Sequence, residues 1–146
     1  MQTAPPAWDC AWQQDHPGLA LVLPGRPWAV RLAGGQSACP ALEVYAAGVL
    51  LDVVSSTRLD APLLRGTRAA DSGAGPCALA WGRLPVSGTA PEVEFSRGRC
   101  WLSRPLGTVL ELTSWCWLAV ADGHFSRVAV RSDGRCVRAR IRRGRP

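Results

Sequence analysis

Arginine is concentrated at one end of this chain, where its spacing could build an anion-binding surface. Residues 127–146 hold eight of the seventeen arginines and one acidic residue, Asp133, so they carry +7 against +6 for the whole chain. Every basic residue is an arginine, and each guanidinium is a planar fork that can bind a carboxylate or a phosphate through two hydrogen bonds. A local positive stripe indicates a contact surface, whereas evenly spread charge mainly affects solubility.

The C-terminal arginines follow an alternating pattern that predicts which side of a strand they occupy. Two alternating segments flank Asp133-Gly134, a pair that tolerates the positive φ angles of a type I′ turn, so residues 128–141 are predicted to form a β-hairpin. Side chains two residues apart share one face of a strand at a spacing of about 7 Å. One face of the second strand is apolar, and the other carries the predicted binding residues. These are Arg138, Arg140, Arg142 and, beyond the strand, Arg143.

Glu92 and Glu94 offer a different role for these arginines. They alternate with Val93 and Phe95, a pattern typical of the solvated face of a half-buried strand. The two carboxylates can also neutralise the arginines across a sheet, since opposite charges form favourable cross-strand pairs. The sequence therefore leaves open whether the arginines contact a partner or are neutralised internally.

Tryptophans form a second group of candidate contact residues. Trp8 and Trp12 lie four residues apart in a segment without other large apolar residues, so they either fill a groove on this protein or anchor a partner. Trp81 and Trp117 lie in the most apolar segments and are predicted core residues. Exposure is predicted next for Trp101 and Trp115, which stand beside turn residues. Aromatic rings interleaved with arginine could also stack on nucleic-acid bases.

Groups that could carry catalysis are few. Asp122-Gly123-His124 occupies a predicted turn and His16 follows Asp15, but an aspartate in a turn usually serves a backbone hydrogen bond. A cysteine could act as nucleophile with either histidine, although cysteines in strands are more often buried apolar residues or halves of disulfides. No nucleophile elbow, phosphate-binding glycine loop or zinc-protease helix is present. No catalytic residue is predicted, and whether the chain is an enzyme stays open.

Six cysteines bear on metal binding, disulfides and compartment. They are Cys10, Cys39, Cys77, Cys100, Cys116 and Cys136. Because no two are closer than sixteen residues, the paired spacing of a zinc site is missing and neither a metal nor another cofactor is predicted. In an extracytoplasmic protein, disulfides are predicted, with Cys39 and Cys77 the first choice. The first residues lack the pattern of a signal peptide, so a cytoplasmic protein and a mature secreted form both remain open.

Recurrent turn residues predict an all-β fold. Apolar residues make up 47% of the chain, which excludes disorder, and no apolar run approaches the roughly 20 residues of a membrane span. Short segments between turns predict an antiparallel β-sandwich or barrel in a single domain. The predicted strands are 19–23, 28–32, 41–45, 49–55, 77–81, 92–95, 108–112, 116–121, 127–131 and 135–141. The last strands are predicted to form a meander, and residues 60–76 are predicted to form a mobile loop. The predicted domain organisation is an N-terminal arm at 1–17, a β-domain at 18–141 and a basic tail at 142–146.

One stretch resembles a known group of proteins. The segments Cys77–Ala78–Leu79–Ala80–Trp81, Glu92–Val93–Glu94–Phe95, Trp117–Leu118–Ala119–Val120–Ala121–Asp122–Gly123 and Arg127–Val128–Ala129–Val130 stand in an order that is similar to small immunoglobulin-like β-sandwich modules of high-GC actinobacterial proteins. The resemblance covers residues 77–138. It implies a sandwich fold and no catalytic residues, and a fold of this kind does not determine a function.

The predicted function is a non-catalytic interaction module. Another protein would bind through the arginine-rich strand face and the N-terminal tryptophans. Alternatives are a small enzyme, a ligand-binding β-barrel, or a nucleic-acid binder whose C-terminal arginines contact phosphates. No membrane span is predicted, and the oligomeric state is open.

Overall fold

The fold of this chain is all-β and antiparallel, as predicted. A computed structural model describes residues 20–22, 26–33, 41–55, 62–72, 75–85, 87–98, 108–111 and 115–144. Its strands are β1 (Ala20–Val22), β2 (Trp28–Ala33), β3 (Ala41–Ala46), β4 (Val49–Ser55), β5 (Gly66–Ser72), β6 (Gly75–Arg83), β7 (Glu92–Ser96), β8 (Thr108–Glu111), β9 (Cys116–Asp122), β10 (Arg127–Ser132) and β11 (Arg135–Arg140). Each predicted strand matches one of these within two residues at either end. Across these ranges, no helix has the length and apolar character needed to cross a membrane.

The chain divides into two compact units, Met1–Thr57 and Arg58–Pro146. In the first unit, β1 to β4 pair antiparallel in sequence order. Alternate apolar positions of β2, β3 and β4 form its buried face, namely Trp28, Val30, Leu42, Val44 and Val54. The intervening positions are mixed: Arg31 on β2 forms an ion pair with Glu43 on β3 at 3.0 Å, whereas Val53 on β4 is an exposed apolar residue. The predicted N-terminal arm, residues 1–17, lies outside the described ranges.

The second unit is a β-sandwich of two antiparallel sheets. One sheet has the strand order β5-β6-β9-β8 and the other β11-β10-β7. Side chains from both sheets share one core, which consists of Ala78, Ala80, Leu84, Val93, Phe95, Trp117, Ala119, Ala121, Val128, Val130 and Ile141. Trp81 and Trp117 are buried, as predicted. Strands β6 and β9 are apolar almost throughout, because nearly every residue in both is buried.

The connections between strands differ from the predicted meander. Within the described residues of this unit, β5–β6, β8–β9 and β10–β11 are sequential pairs in one sheet, whereas β7 pairs with β10 and β6 with β9. The chain therefore changes sheet after β6, β7 and β9, and the meander prediction is wrong for this unit. Alternation identifies a strand and its faces, but it carries no information on which sheet the next strand joins.

The strand order of the second unit is that of a constant-type immunoglobulin sandwich. Counted from β5, one sheet holds its first, second, fifth and fourth strands and the other its seventh, sixth and third. Antibody domains join their second and sixth strands by a disulfide; here β6 carries Cys77 but β10 has no cysteine. Many unrelated proteins share sandwich architecture, so the resemblance to actinobacterial modules stays a prediction.

Strand β5 corrects the prediction of a mobile loop over residues 60–76. Its sequence, Gly-Thr-Arg-Ala-Ala-Asp-Ser, contains one β-branched residue and no aromatic one, so its strand propensity is weak. The whole of β5 nevertheless pairs with β6, from Gly66 opposite Trp81 to Ser72 opposite Gly75. Pairing with the apolar strand β6, and not the local sequence, therefore determines that this segment is a strand.

The chain crosses from one sheet to the other directly after β11. Arg142 accepts a hydrogen bond at its carbonyl from the Ala69 N–H at 2.8 Å, and Arg143 forms a parallel bridge with Ala69. Thr67, buried in β5, donates its hydroxyl to the Arg140 carbonyl and accepts from the Arg142 N–H, both at 3.1 Å. Residues 142 and 143, predicted to begin a basic tail, therefore lie along β5.

The β10–β11 turn has the predicted type I′ geometry and supports a direct test. Asp133 and Gly134 have φ angles of 49° and 76°, and a Cβ added at Gly134 would meet no atom within 4 Å. We expect Gly134→Val to lower the free energy of unfolding by about 1–3 kcal/mol, because a β-branched residue is strained at positive φ. Urea denaturation measures this, with Gly134→Asn as control, since asparagine tolerates this conformation. Equal stability of the valine variant would show another turn type.

Candidate functional site

The candidate site lies on the outer face of the sheet β11-β10-β7. Val128 and Val130 of β10 point into the core, so the alternate residues Arg127, Ala129 and Arg131 point outward. The same alternation turns Arg138 and Arg140 outward on β11 and Glu92 and Glu94 outward on β7, through the pairings of β10 with its two neighbours. One sheet face thus carries two of the predicted arginines, Arg138 and Arg140, together with both acids.

Arg127 and Arg140 lie directly opposite each other on β10 and β11. The next residues along, Ser126 and Ile141, are hydrogen-bonded, with Ile141 N–H donating to the Ser126 carbonyl at 2.9 Å. Residue pairs with and without mutual backbone hydrogen bonds alternate along two antiparallel strands. Arg127 and Arg140 are therefore a pair without such bonds, and the Cα atoms of such a pair lie about 4.5 Å apart. Arg138 is the diagonal neighbour of Arg127, at a Cα separation of about 7–8 Å.

These three arginines line one groove, which we call the arginine groove. Its walls are Arg127, Val128, Arg138, Ala139 and Arg140, and its volume is about 210 Å³. Like charges directly opposite in a sheet destabilise it, and neither Arg127 nor Arg140 forms an ion pair with any residue in the described ranges. An anion bound in the groove would relieve this repulsion.

The acids of this face lie at its other end, around Arg131. A guanidinium nitrogen of Arg131 is hydrogen-bonded to Glu94 and lies 3.6 Å from the Glu92 carboxylate. The hydrogen bond to Glu94 and the Coulombic attraction of that carboxylate raise the pKa of Arg131. Glu94 is only 7% exposed, so the prediction of a solvated strand face holds for Glu92 and is wrong for Glu94.

Internal neutralisation, the alternative raised by the sequence, therefore occurs at Arg131. Arg131 and Arg127 lie four residues apart on β10 with Ala129 between them on the same face, a distance of roughly 13 Å along an extended strand. Glu94 lies opposite Ala129, between these two arginines, and its carboxylate is hydrogen-bonded to Arg131. Among the described residues, neither Glu92 nor Glu94 forms an ion pair with Arg127 or Arg140.

The structure changes the membership of the predicted site. Arg138 and Arg140 lie in the groove, but Arg142 and Arg143 follow the end of β11 and lie along β5. Arg127 takes their place, and the sequence contained the signal for it. Counting outward from the two-residue turn Asp133-Gly134 pairs residue 127 with residue 140.

The tryptophans add little accessible aromatic surface in the described ranges. Trp28, Trp81 and Trp117 are buried. Trp115, predicted to be exposed, is half-buried. Trp8, Trp12 and Trp101 lie outside the described residues, so the predicted contact role of Trp8 and Trp12 stays a prediction.

The three cysteines in the described ranges form no disulfide with one another. Cys77 and Cys116 are buried and Cys136 is exposed. The Cys77 thiol donates a hydrogen bond to the Ala70 carbonyl at 3.6 Å. Its predicted disulfide partner, Cys39, lies outside the described residues, so that disulfide stays a prediction. No group of three histidine, cysteine or acidic side chains in the described ranges could hold a metal ion.

The predicted Asp122-Gly123-His124 turn exists and connects β9 to β10. Gly123 has a φ of 135°, and a Cβ there would lie 2.9 Å from the Phe125 ring. Both constraints require glycine. The side chains of Asp122 and His124 are exposed, while His16, the other predicted candidate, lies outside the described residues.

Comparison with protein-family models, with curated proteins and with solved structures finds no match to this chain.

Proposed function

We propose that this protein is a non-catalytic interaction module that binds an acidic segment of a partner protein in the arginine groove. The observation that carries the proposal is the direct opposition of Arg127 and Arg140, with Arg138 beside them. A strand pair gains stability when opposite charges face each other and loses it when like charges do. Carboxylates of a partner would supply the missing counter-charge and accept bidentate hydrogen bonds from the guanidinium groups.

The composition of the face favours a protein partner over single-stranded nucleic acid. Single-strand binders combine a basic groove with aromatic side chains on which bases stack. Within the described ranges, the groove is lined by arginine, valine and alanine, with no aromatic residue.

The test is the triple variant Arg127→Gln, Arg138→Gln and Arg140→Gln. The probe is fluorescently labelled poly-L-glutamate, titrated at low and at physiological salt. An exposed ion pair contributes about 0.2–1 kcal/mol, so loss of three should weaken binding about tenfold. The affinity of the unchanged protein should fall as salt rises.

The matched control is the triple variant Arg135→Gln, Arg142→Gln and Arg143→Gln. It removes the same charge from arginines outside the groove and should retain most of the affinity. Equal losses in the two triples would mean that only net charge matters, which contradicts the proposal. Stronger groove-dependent binding to mixed-sequence single-stranded DNA than to polyglutamate would assign the groove to nucleic acid instead.

A further inference from the structure

A second, separate cleft lies at one end of the sandwich. Three segments of the second unit meet there: the β5–β6 hairpin, the β9–β10 loop and the residues after β11. The cleft has a volume of about 200 Å³, and its lining includes Ala69, Asp71, Pro76, His124, Phe125 and Arg143. Pockets for drug-sized ligands enclose about 300–1,000 Å³, so this one suits a smaller molecule.

The rim of the cleft carries one acid, one base and one imidazole. Asp71, Arg143 and His124 are all exposed, and their side chains form no ion pair or hydrogen bond with any residue in the described ranges. Arg143 bridges to Ala69, and Asp71 lies two residues further along β5, roughly 6.6 Å in the strand direction. A guanidinium and a carboxylate thus stand within reach of the same small molecule.

The loop that bears His124 is held by hydrogen bonds on both sides. Gly123 N–H donates to the Pro76 carbonyl at 2.8 Å, and Ser126 N–H donates to the Ser96 carbonyl at 2.9 Å. The Arg97 side chain donates to the His124 carbonyl at 2.8 Å. Below the loop, the Phe125 ring packs on Phe95 with centroids 5.6 Å apart. The cleft wall is therefore already ordered, which reduces the entropy cost of binding.

We propose that this cleft binds a small zwitterion of the free amino-acid class. The ligand carboxylate meets the Arg143 guanidinium, which can donate two parallel hydrogen bonds to it. The ligand ammonium group meets the Asp71 carboxylate. The remainder of the ligand lies against the apolar wall formed by Ala69, Pro76 and Phe125. A rim with one positive and one negative charge matches a ligand of zero net charge better than a simple anion.

The experiment measures saturable thermal stabilisation by each free proteinogenic amino acid, followed by calorimetry of the best one. Stabilisation is expected because a ligand that binds only the folded state shifts the unfolding equilibrium. The N-acetyl and carboxamide derivatives of that amino acid each lack one charge and should bind about tenfold more weakly. Arg143→Gln and Asp71→Asn should each cause a loss of similar size.

Arg142→Gln and Asp133→Asn are the matched controls. Both residues are exposed and lie outside the cleft, so these variants should bind the amino acid with unchanged affinity. The proposal is overturned if no amino acid stabilises the protein. It is also overturned if the N-acetyl derivative binds as well as the parent compound and Asp71→Asn has no effect, because the cleft would then be a plain anion site.

Discussion

Gly82→Ala is expected to lower the free energy of unfolding by roughly 3 kcal/mol or more. A Cβ at this position of β6 would lie 1.8 Å from the Leu63 carbonyl oxygen and 3.0 Å from the Trp117 ring. The obstacle is backbone, which cannot rotate away as a flexible side chain can. The same carbonyl accepts a hydrogen bond from the Trp117 indole N–H at 2.9 Å, so displacing it also leaves a buried donor without a partner.

Chemical denaturation measures this effect, and Gly144→Ala is the control. The nearest atom to a Cβ at Gly144 is Arg68 Cδ at 4.0 Å, so that variant should remain within about 0.5 kcal/mol of the parent protein. A second variant, Trp117→Phe, removes the indole donor without adding volume next to Leu63. Parent-like stability in Gly82→Ala would show that the segment before β5 does not approach β6 in this way.

The sequence predicted the strands of this protein well because its apolar periodicity is local information. Both β6 and β9 are continuous apolar runs, and in β11 arginine and apolar residues alternate after the recognisable turn Asp133-Gly134. The exception is β5, whose residues Ala69 and Ala70 have weak strand propensity. Its formation depends on β6 on one side and on residues 142 and 143 on the other, partners that are distant along the chain.

The candidate site was predictable in part for the same reason. The outward face of β11 follows from alternation, and the partner of Arg140 follows from the turn. Contact between Glu94 and Arg131 depends on β7 lying beside β10, which no local pattern specifies. The cleft depends on three segments that are distant along the chain, residues 69–77, 123–125 and 143–144, and the sequence singled out Gly123, His124 and Arg143 in unconnected patterns.

Thr67→Val is expected to destabilise the second unit by about 2–3 kcal/mol, because two backbone groups lose their partner. The Thr67 hydroxyl donates to the Arg140 carbonyl and accepts from the Arg142 N–H, both at 3.1 Å. Threonine is buried here, at 6% exposure, so water does not readily replace it. Valine has nearly the same shape but supplies neither hydrogen bond.

Thr67→Ser distinguishes the contribution of the hydroxyl to stability from that of the methyl group. Serine retains both hydrogen bonds and loses one buried methyl, which costs about 0.8 kcal/mol. Hydrogen exchange adds a residue-specific reading: the Arg142 amide, which bonds to the Thr67 hydroxyl, should exchange faster in the valine variant and remain protected in the serine variant. Equal destabilisation by serine and valine would mean that packing of the methyl group, and not the hydroxyl, holds the crossover after β11.

The crossover also separates the two proposed sites, since Arg140 before it lines the arginine groove and Arg143 after it lines the cleft. If the hydroxyl fixes that division, Thr67→Val should weaken polyglutamate and amino-acid binding together, whereas the arginine variants of each site should affect one ligand only.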